Sequence, residues 1–183
     1  MARVAGCLMT TLALLAACGG DGRVARDTAD TSAPPVAQWR VSATGIGPVR
    51  IGMTLEEANE VLGGQLTPPE QLEPACDYVQ PKNLPADVAF MIVDDRVVRV
   101  DVRDSTVLTE AGARVGDSEA RIQSLYPGSV SVEPHKYVDQ GHYLIVPAQG
   151  DTLHELLFET DGRTVKEYRA GRRPEVGWVE GCG

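Results

Sequence analysis

A six-residue phrase occurs twice in this chain, and its recurrence limits the folds open to it more than any other feature. Val49-Arg50-Ile51-Gly52-Met53-Thr54 returns as Ala113-Arg114-Val115-Gly116-Asp117-Ser118, an offset of 64 residues (49 to 113). In each copy an extended apolar residue precedes a glycine. A hydroxyl residue then stands where its oxygen can accept from amides that the first turn of a helix leaves unbonded. Thr54 and Glu57 have the spacing of a capping box. Apolar spacing predicts one helix over Leu55 to Leu62, with Leu55, Ala58, Val61 and Leu62 on one face. A second is predicted over Glu119 to Tyr126, with Ile122, Leu125 and Tyr126 inward. Gly63-Gly64 and Pro127-Gly128 stop them.

A hairpin is expected after each helix. Val88, Phe90 and Ile92 alternate toward one face, Asp94-Asp95-Arg96 turns, and Val98, Val100 and Val102 return on that face. Arg99, Asp101 and Arg103 then point to water. The second copy is Leu156 to Glu159, a turn at Asp161-Gly162, and Val165 to Arg169; Val98 answers Val165 at an offset of 67 residues (98 to 165). Val130 to Val132, His135 to Val138 and Tyr143 to Val146 read as further strands. The expected fold class is α+β. Two tandem helix-plus-antiparallel-hairpin repeats, about 45–104 and 109–170, form a two-layer domain with short helices packed on an antiparallel sheet. A segment over 171–183 completes a domain of 39–183.

The Gly52-Met53-Thr54 helix start followed by antiparallel strands resembles two families. One is the small lipoprotein of the outer-membrane β-barrel assembly machine, with one copy of the unit. The other is the secreted β-lactamase inhibitor protein, with two copies in tandem. Gly47-Pro48-Val49 before the motif and Val179-Glu180-Gly181-Cys182 also look like uncharacterised secreted bacterial proteins. The resemblance covers Gly45 to Cys182 and rests on short motifs that serve folding. The chain departs from the inhibitor, which has a disulfide within each repeat and an aromatic-rich concave face. Here there are two Trp, two Phe and five Tyr, and aromatic residues are 5% of the chain.

The N-terminal residues read as an export signal. Arg3 is a minimal positive region, and Val4 to Ala17, at about 14 residues, is shorter than the roughly 20 a spanning helix needs. Leu15-Ala16-Ala17-Cys18 resembles the lipobox of bacterial lipoproteins. The resemblance implies cleavage after residue 17 and a diacylglycerol on the Cys18 thiol; the alternative is an ordinary secretory signal. Residues 18–38 are small, polar and rich in breakers, a disordered tether by composition. Gly19, rather than Asp, follows the lipidated cysteine, which by resemblance to Gram-negative sorting implies the outer membrane. With a single membrane, the protein belongs on its outer face.

Of four cysteines, one leaves with the signal and one is lipidated, so Cys76 and Cys182 remain. In an oxidising compartment they are expected to pair. A loop of about a hundred residues is then closed, worth up to ~4.7 kcal/mol by chain entropy. A two-thiol metal site and two free thiols are the alternatives.

The net charge of −9 argues against a nucleic-acid partner, because phosphate recognition needs a clustered basic surface. His135 and His142, placed on one strand face by a turn at Asp139-Gln140, are the one pair that begins a metal site, with Glu133 nearby; packed or surface histidines are the simpler reading. Ser118 reads as a cap, since no Gly-x-Ser-x-Gly elbow surrounds it. No catalytic set, cofactor motif or complete metal site emerges. The reading is a non-catalytic protein-binding or structural module of the cell envelope, held to the membrane by its lipid and contacting an envelope protein. An inhibitor or sequestering protein for an extracellular enzyme is the alternative, with Tyr137, Tyr143 and Trp178 as its candidate binding residues. A hydrolase or metal-binding enzyme is the third class.

Overall fold

The computed structural model describes residues 36–68, 71, 73 and 75–183. Cys18, the signal segment and nearly all of the tether lie outside the described residues. After a 3-10 turn at Val36–Gln38, β1 (Val41–Ser42), β2 (Gly45–Ile46) and β3 (Val49–Arg50) form a small antiparallel sheet. Then follow α1 (Leu55–Val61), β4 (Leu66–Thr67), β5 (Asp77–Pro81), β6 (Val88–Val93) and β7 (Arg96–Val102). The chain continues through α2 (Glu119–Leu125), β8 (Ser131–Pro134), β9 (His142–Pro147), β10 (His154–Thr160) and β11 (Val165–Arg172), with a last 3-10 turn at Glu175–Gly177.

Strands β4 to β11 make one eight-stranded antiparallel sheet in the order β4-β5-β6-β7-β11-β10-β9-β8. This overturns the expected two-layer arrangement of tandem helix-plus-hairpin repeats: the protein is mostly β. The expected hairpins do not stand apart as units, because β7 and β11 pair directly, Val102 with Tyr168 and Val100 with Ala170. The helices do not form a layer. Each has seven residues, about 10 Å of axis, too short to cover eight strands. Among the described residues no helix is long and apolar enough to cross a membrane.

Local signals behave as their chemistry dictates. The Thr54 hydroxyl accepts from the Glu57 amide at 3.1 Å, and the Glu57 carboxylate accepts from the Thr54 amide at 2.8 Å. The Ser118 hydroxyl accepts from the Arg121 amide at 3.2 Å. Each helix start docks on a strand: the Gly52 amide donates to the Val97 carbonyl at 2.7 Å, and the Gly116 amide to the Val165 carbonyl at 2.9 Å. Val61 is corrected: it lies 40% exposed, while Ala58 and Leu62 carry the buried face of α1. Between β6 and β7 the turn is Asp94-Asp95, both at positive φ (49° and 60°), which suits the twist of a two-residue hairpin.

One face of the sheet, called the front, packs Val88, Phe90, Ile92, Val100, Val102, Leu144, Phe158 and Tyr168 against Ala58, Ile122, Trp39 and Val41. The Tyr168 hydroxyl donates to the Val107 carbonyl at 3.1 Å, so this ring enters the core without an orphaned polar atom. Val98 is corrected too. The β6–β7 register shifts between Met91 and Ile92, and Val98 joins Met91 and Val93 in a different cluster. His135 to Val138 is not a strand but the connection from β8 to β9. The His135 Nδ1 accepts from the Tyr137 and Val138 amides at 2.9 and 3.1 Å, so those amides have no ladder to join.

Candidate functional site

The back of the sheet holds the chemistry. Arg99 and Asp101 were expected in water, yet they are 3% and 6% exposed. After β11 the chain turns over this face, and residues 173–183 cover it. Arg99 donates to Asp101 Oδ2 through Nε at 3.0 Å and to the Tyr78 hydroxyl through Nη2 at 2.6 Å. Its Nη1 donates to the carbonyls of Glu175 and Trp178 at 3.0 and 2.8 Å. Arg169, 1% exposed, donates through Nη1 to the same Trp178 carbonyl at 3.0 Å. Two guanidinium groups on adjacent central strands thus hold one carbonyl of the covering segment. Gly171 lets the strands approach there: a Cβ would come within 2.5 Å of the Val98 carbonyl oxygen.

The covering segment is tied at its far end by the Cys76–Cys182 disulfide, with Cα atoms 5.3 Å apart. Gly181 beside it adopts φ +66°, and a Cβ there would stand 2.6 Å from the Tyr78 hydroxyl. Only glycine therefore lets the segment lie against Tyr78. Burial raises the Asp101 carboxyl above its ordinary range, opposed by Arg99 and Arg169. Burial likewise raises the Tyr78 phenol, with the Asp101 charge adding to the shift.

An ionic chain continues across the sheet. Arg169 pairs with Glu159 and lies 3.5 Å from Glu167, which accepts from Arg103 Nε at 2.5 Å. Glu159 Oε1 meets His135 Nε2 at 2.8 Å. Since His135 Nδ1 accepts two amides, the proton sits on Nε2 and is donated to Glu159. The imidazole also stacks on Tyr143, centroids 4.7 Å apart.

Next to this chain lies a groove of about 500 Å³. Its sides are Tyr143 and Ile145 of β9, Leu157 of β10 and Val179 of the covering segment, and Glu133 of β8 borders it. Glu155, also on its wall, is held by Arg173 at 2.6 Å. The groove reaches β8, the last strand of the sheet, whose four side chains are all exposed.

The sequence candidates separate. Tyr143 is 7% exposed, its hydroxyl accepting from the Lys136 amide at 3.3 Å. It is therefore part of the packed back face, not an exposed anchor. Tyr137 and Trp178 are 59% and 37% exposed. The Tyr137 hydroxyl bonds Glu180, which also pairs with Lys136 at 3.0 Å; these two bonds lower the Glu180 carboxyl below its ordinary range. They also link the β8–β9 connection to the covering segment.

His135 and His142 do not share a face. His142 turns to α2 and meets Glu119 at 2.8 Å, and His154 meets Asp151 at 2.6 Å. Among the described residues no group of three or more His, Cys, Asp or Glu is placed to hold a metal ion. Glu119 also accepts from the Thr160 hydroxyl at 2.5 Å. The hydroxyl is bonded to a carboxylate that the imidazole also bonds, so no imidazole stands as base to that hydroxyl.

Sequence reasoning missed Arg169, Glu159, Tyr78 and Glu175. The signal was complementary charge at alternate positions of two strands: Arg99, Asp101 and Arg103 on one, Glu167 and Arg169 on the other. No family model, curated protein or solved structure matches this chain.

Proposed function

We propose that this chain is a lipid-anchored protein of the cell envelope whose domain is a non-catalytic protein-binding module. The observation that carries the reading is the groove beside β8. It joins a partly apolar trough to an open sheet edge, the two features a polypeptide partner needs. The polar groups of the back face support it differently: Arg99, Asp101, Arg169, Glu159 and His135 are committed to one another and to the covering segment. Such groups fix a surface rather than react at it.

A photo-crosslinking residue at Ser131, exposed on β8 and opposite Ile145 on the groove's face, tests this in intact cells. It should trap one specific envelope protein, whereas the same probe at Val61, on exposed α1, should not. No product at Ser131, or equal products at both positions, counts against the reading. The anchor is checked by fatty-acid labelling, which Cys18→Ser should abolish. The enzyme-inhibitor alternative keeps Tyr137 and Trp178 as exposed rings and loses Tyr143.

A further inference from the structure

We propose that the groove beside β8 receives an extended, basic-apolar segment of the partner polypeptide, with an apolar side chain in the trough and a Lys or Arg two residues along facing Glu133. This rests on the binding-module reading and names the chemistry of the partner.

The edge supplies the first argument. The His135 amide donates to the Gly141 carbonyl at 2.9 Å, and antiparallel bonding alternates along the pair. Glu133 is then in a bonded pair with Tyr143, and Val132 turns its amide and carbonyl away from the sheet. Val132 therefore offers a donor and an acceptor to an added strand. Pro134 has no amide to offer, which keeps that strand short. A short ladder gives register and little affinity, so recognition falls to side chains.

Those side chains share one face. Glu133, Tyr143 and Glu159 are opposite one another across β8, β9 and β10, as are Ile145 and Leu157. All lie on the back, with Val179 as the far wall. Residues i and i+2 of an added strand point to that same face. One fills the trough and the other reaches Glu133.

Charge chooses the partner's sign. Of the two groove carboxylates, Glu155 is neutralised by Arg173, while Glu133 has no ion-pair partner among the described residues. The chain as a whole carries −9. A basic segment is drawn to this surface, and an acidic one is repelled.

The test uses the purified full-length protein and acetylated, amidated hexapeptides of the pattern Thr-Leu-Thr-Lys-Thr-Thr at low salt. The Val132 amide and the methyls of Ile145, Leu157 and Val179 are followed by NMR. Saturable shifts at all four positions are expected. Gln in place of the peptide Lys should weaken binding about threefold, the scale of an exposed ion pair. That preference should vanish in Glu133→Gln, a surface variant that leaves the core untouched. Equal binding of the Lys and Gln peptides to the native protein overturns the proposal, as does the absence of saturable shifts. If 3-methylbutylamine binds as tightly as the peptide, the groove is a small-molecule site and the proposal fails. A partner trapped at Ser131 alongside equal Lys and Gln binding defeats this inference alone and leaves the binding-module reading intact.

Discussion

On the front of the eight-stranded sheet, Phe90, Phe158 and Tyr168 pack against short helices and a small sheet in an apolar core. On the back, Arg99, Asp101 and Arg169 are buried, and Glu159 half-buried, beneath a covering strip of irregular chain. Both faces exclude water, by different means. Each front side chain gains about 1.5–3 kcal/mol from leaving water, and neighbours can shift to fill small defects. The back gains little net from its ion pairs, because desolvation offsets attraction, yet breaking a pair leaves a charge uncompensated. The front supplies stability, while the back supplies a single arrangement of the chain.

The sharpest way to break the comparison is to delete one group from each face. Phe158→Ala and Arg169→Ala should each cost about 3–5 kcal/mol in urea unfolding, for different reasons. The first leaves a cavity; the second takes the guanidinium from Glu159 and leaves the Trp178 carbonyl to Arg99 alone. Pairing Arg169→Met with Glu159→Leu should recover much of the second loss, since an apolar replacement removes the orphaned charge along with the ion pair. If Arg169→Ala is nearly neutral, the back face is not held by its charges.

Cys182→Ser should come next, lowering stability by about 2–5 kcal/mol without abolishing export. Amide exchange should accelerate at Trp178 and Gly181 before it does in β10. Two titratable thiols in the oxidised native protein would contradict the pairing itself.

These contrasts also explain what was legible in the sequence. Thr54 with Glu57, Ser118, the Asp94-Asp95 turn and the Val88-Phe90-Ile92 face are local, and their chemistry acts over three or four residues. The Cys76–Cys182 pairing was reached by elimination. The back face was illegible for a physical reason. Alternation along β7 reports that one face is polar, not that it is wet. What covers Arg99 lies 76 residues away, at Glu175, in a segment with no periodicity of its own. The joining of β7 to β11 has the same character, since nothing local requires Val100 to meet Ala170. The groove needed the cover before it existed.

The smallest expected effect concerns pH. Burial places the folded Asp101 pKa above its unfolded value of about 3.9. Between those two values the folded state binds more protons than the unfolded one, so this group's contribution to stability falls as pH rises and then levels off. The stability difference between the native protein and Asp101→Asn should therefore change across that window and stay flat above it. Urea midpoints measured from about pH 4 upward check this. A difference that is flat throughout would mean Arg99 and Arg169 fully offset the burial.

The covering strip also sets an order of events. Residues 173–183 are made after every strand beneath them, so the ribosome delivers the lid after the charges it must shut in. Until then Arg99, Asp101 and Arg169 face solvent from the two central strands, and the cost of stripping water from charged groups discourages that surface from sticking to another copy of itself. The front can collapse early with β7 and β11 in it, while the back faces of those strands wait for the chain that seals them. The same charges that make the finished back face intolerant of change keep the unfinished one hydrated.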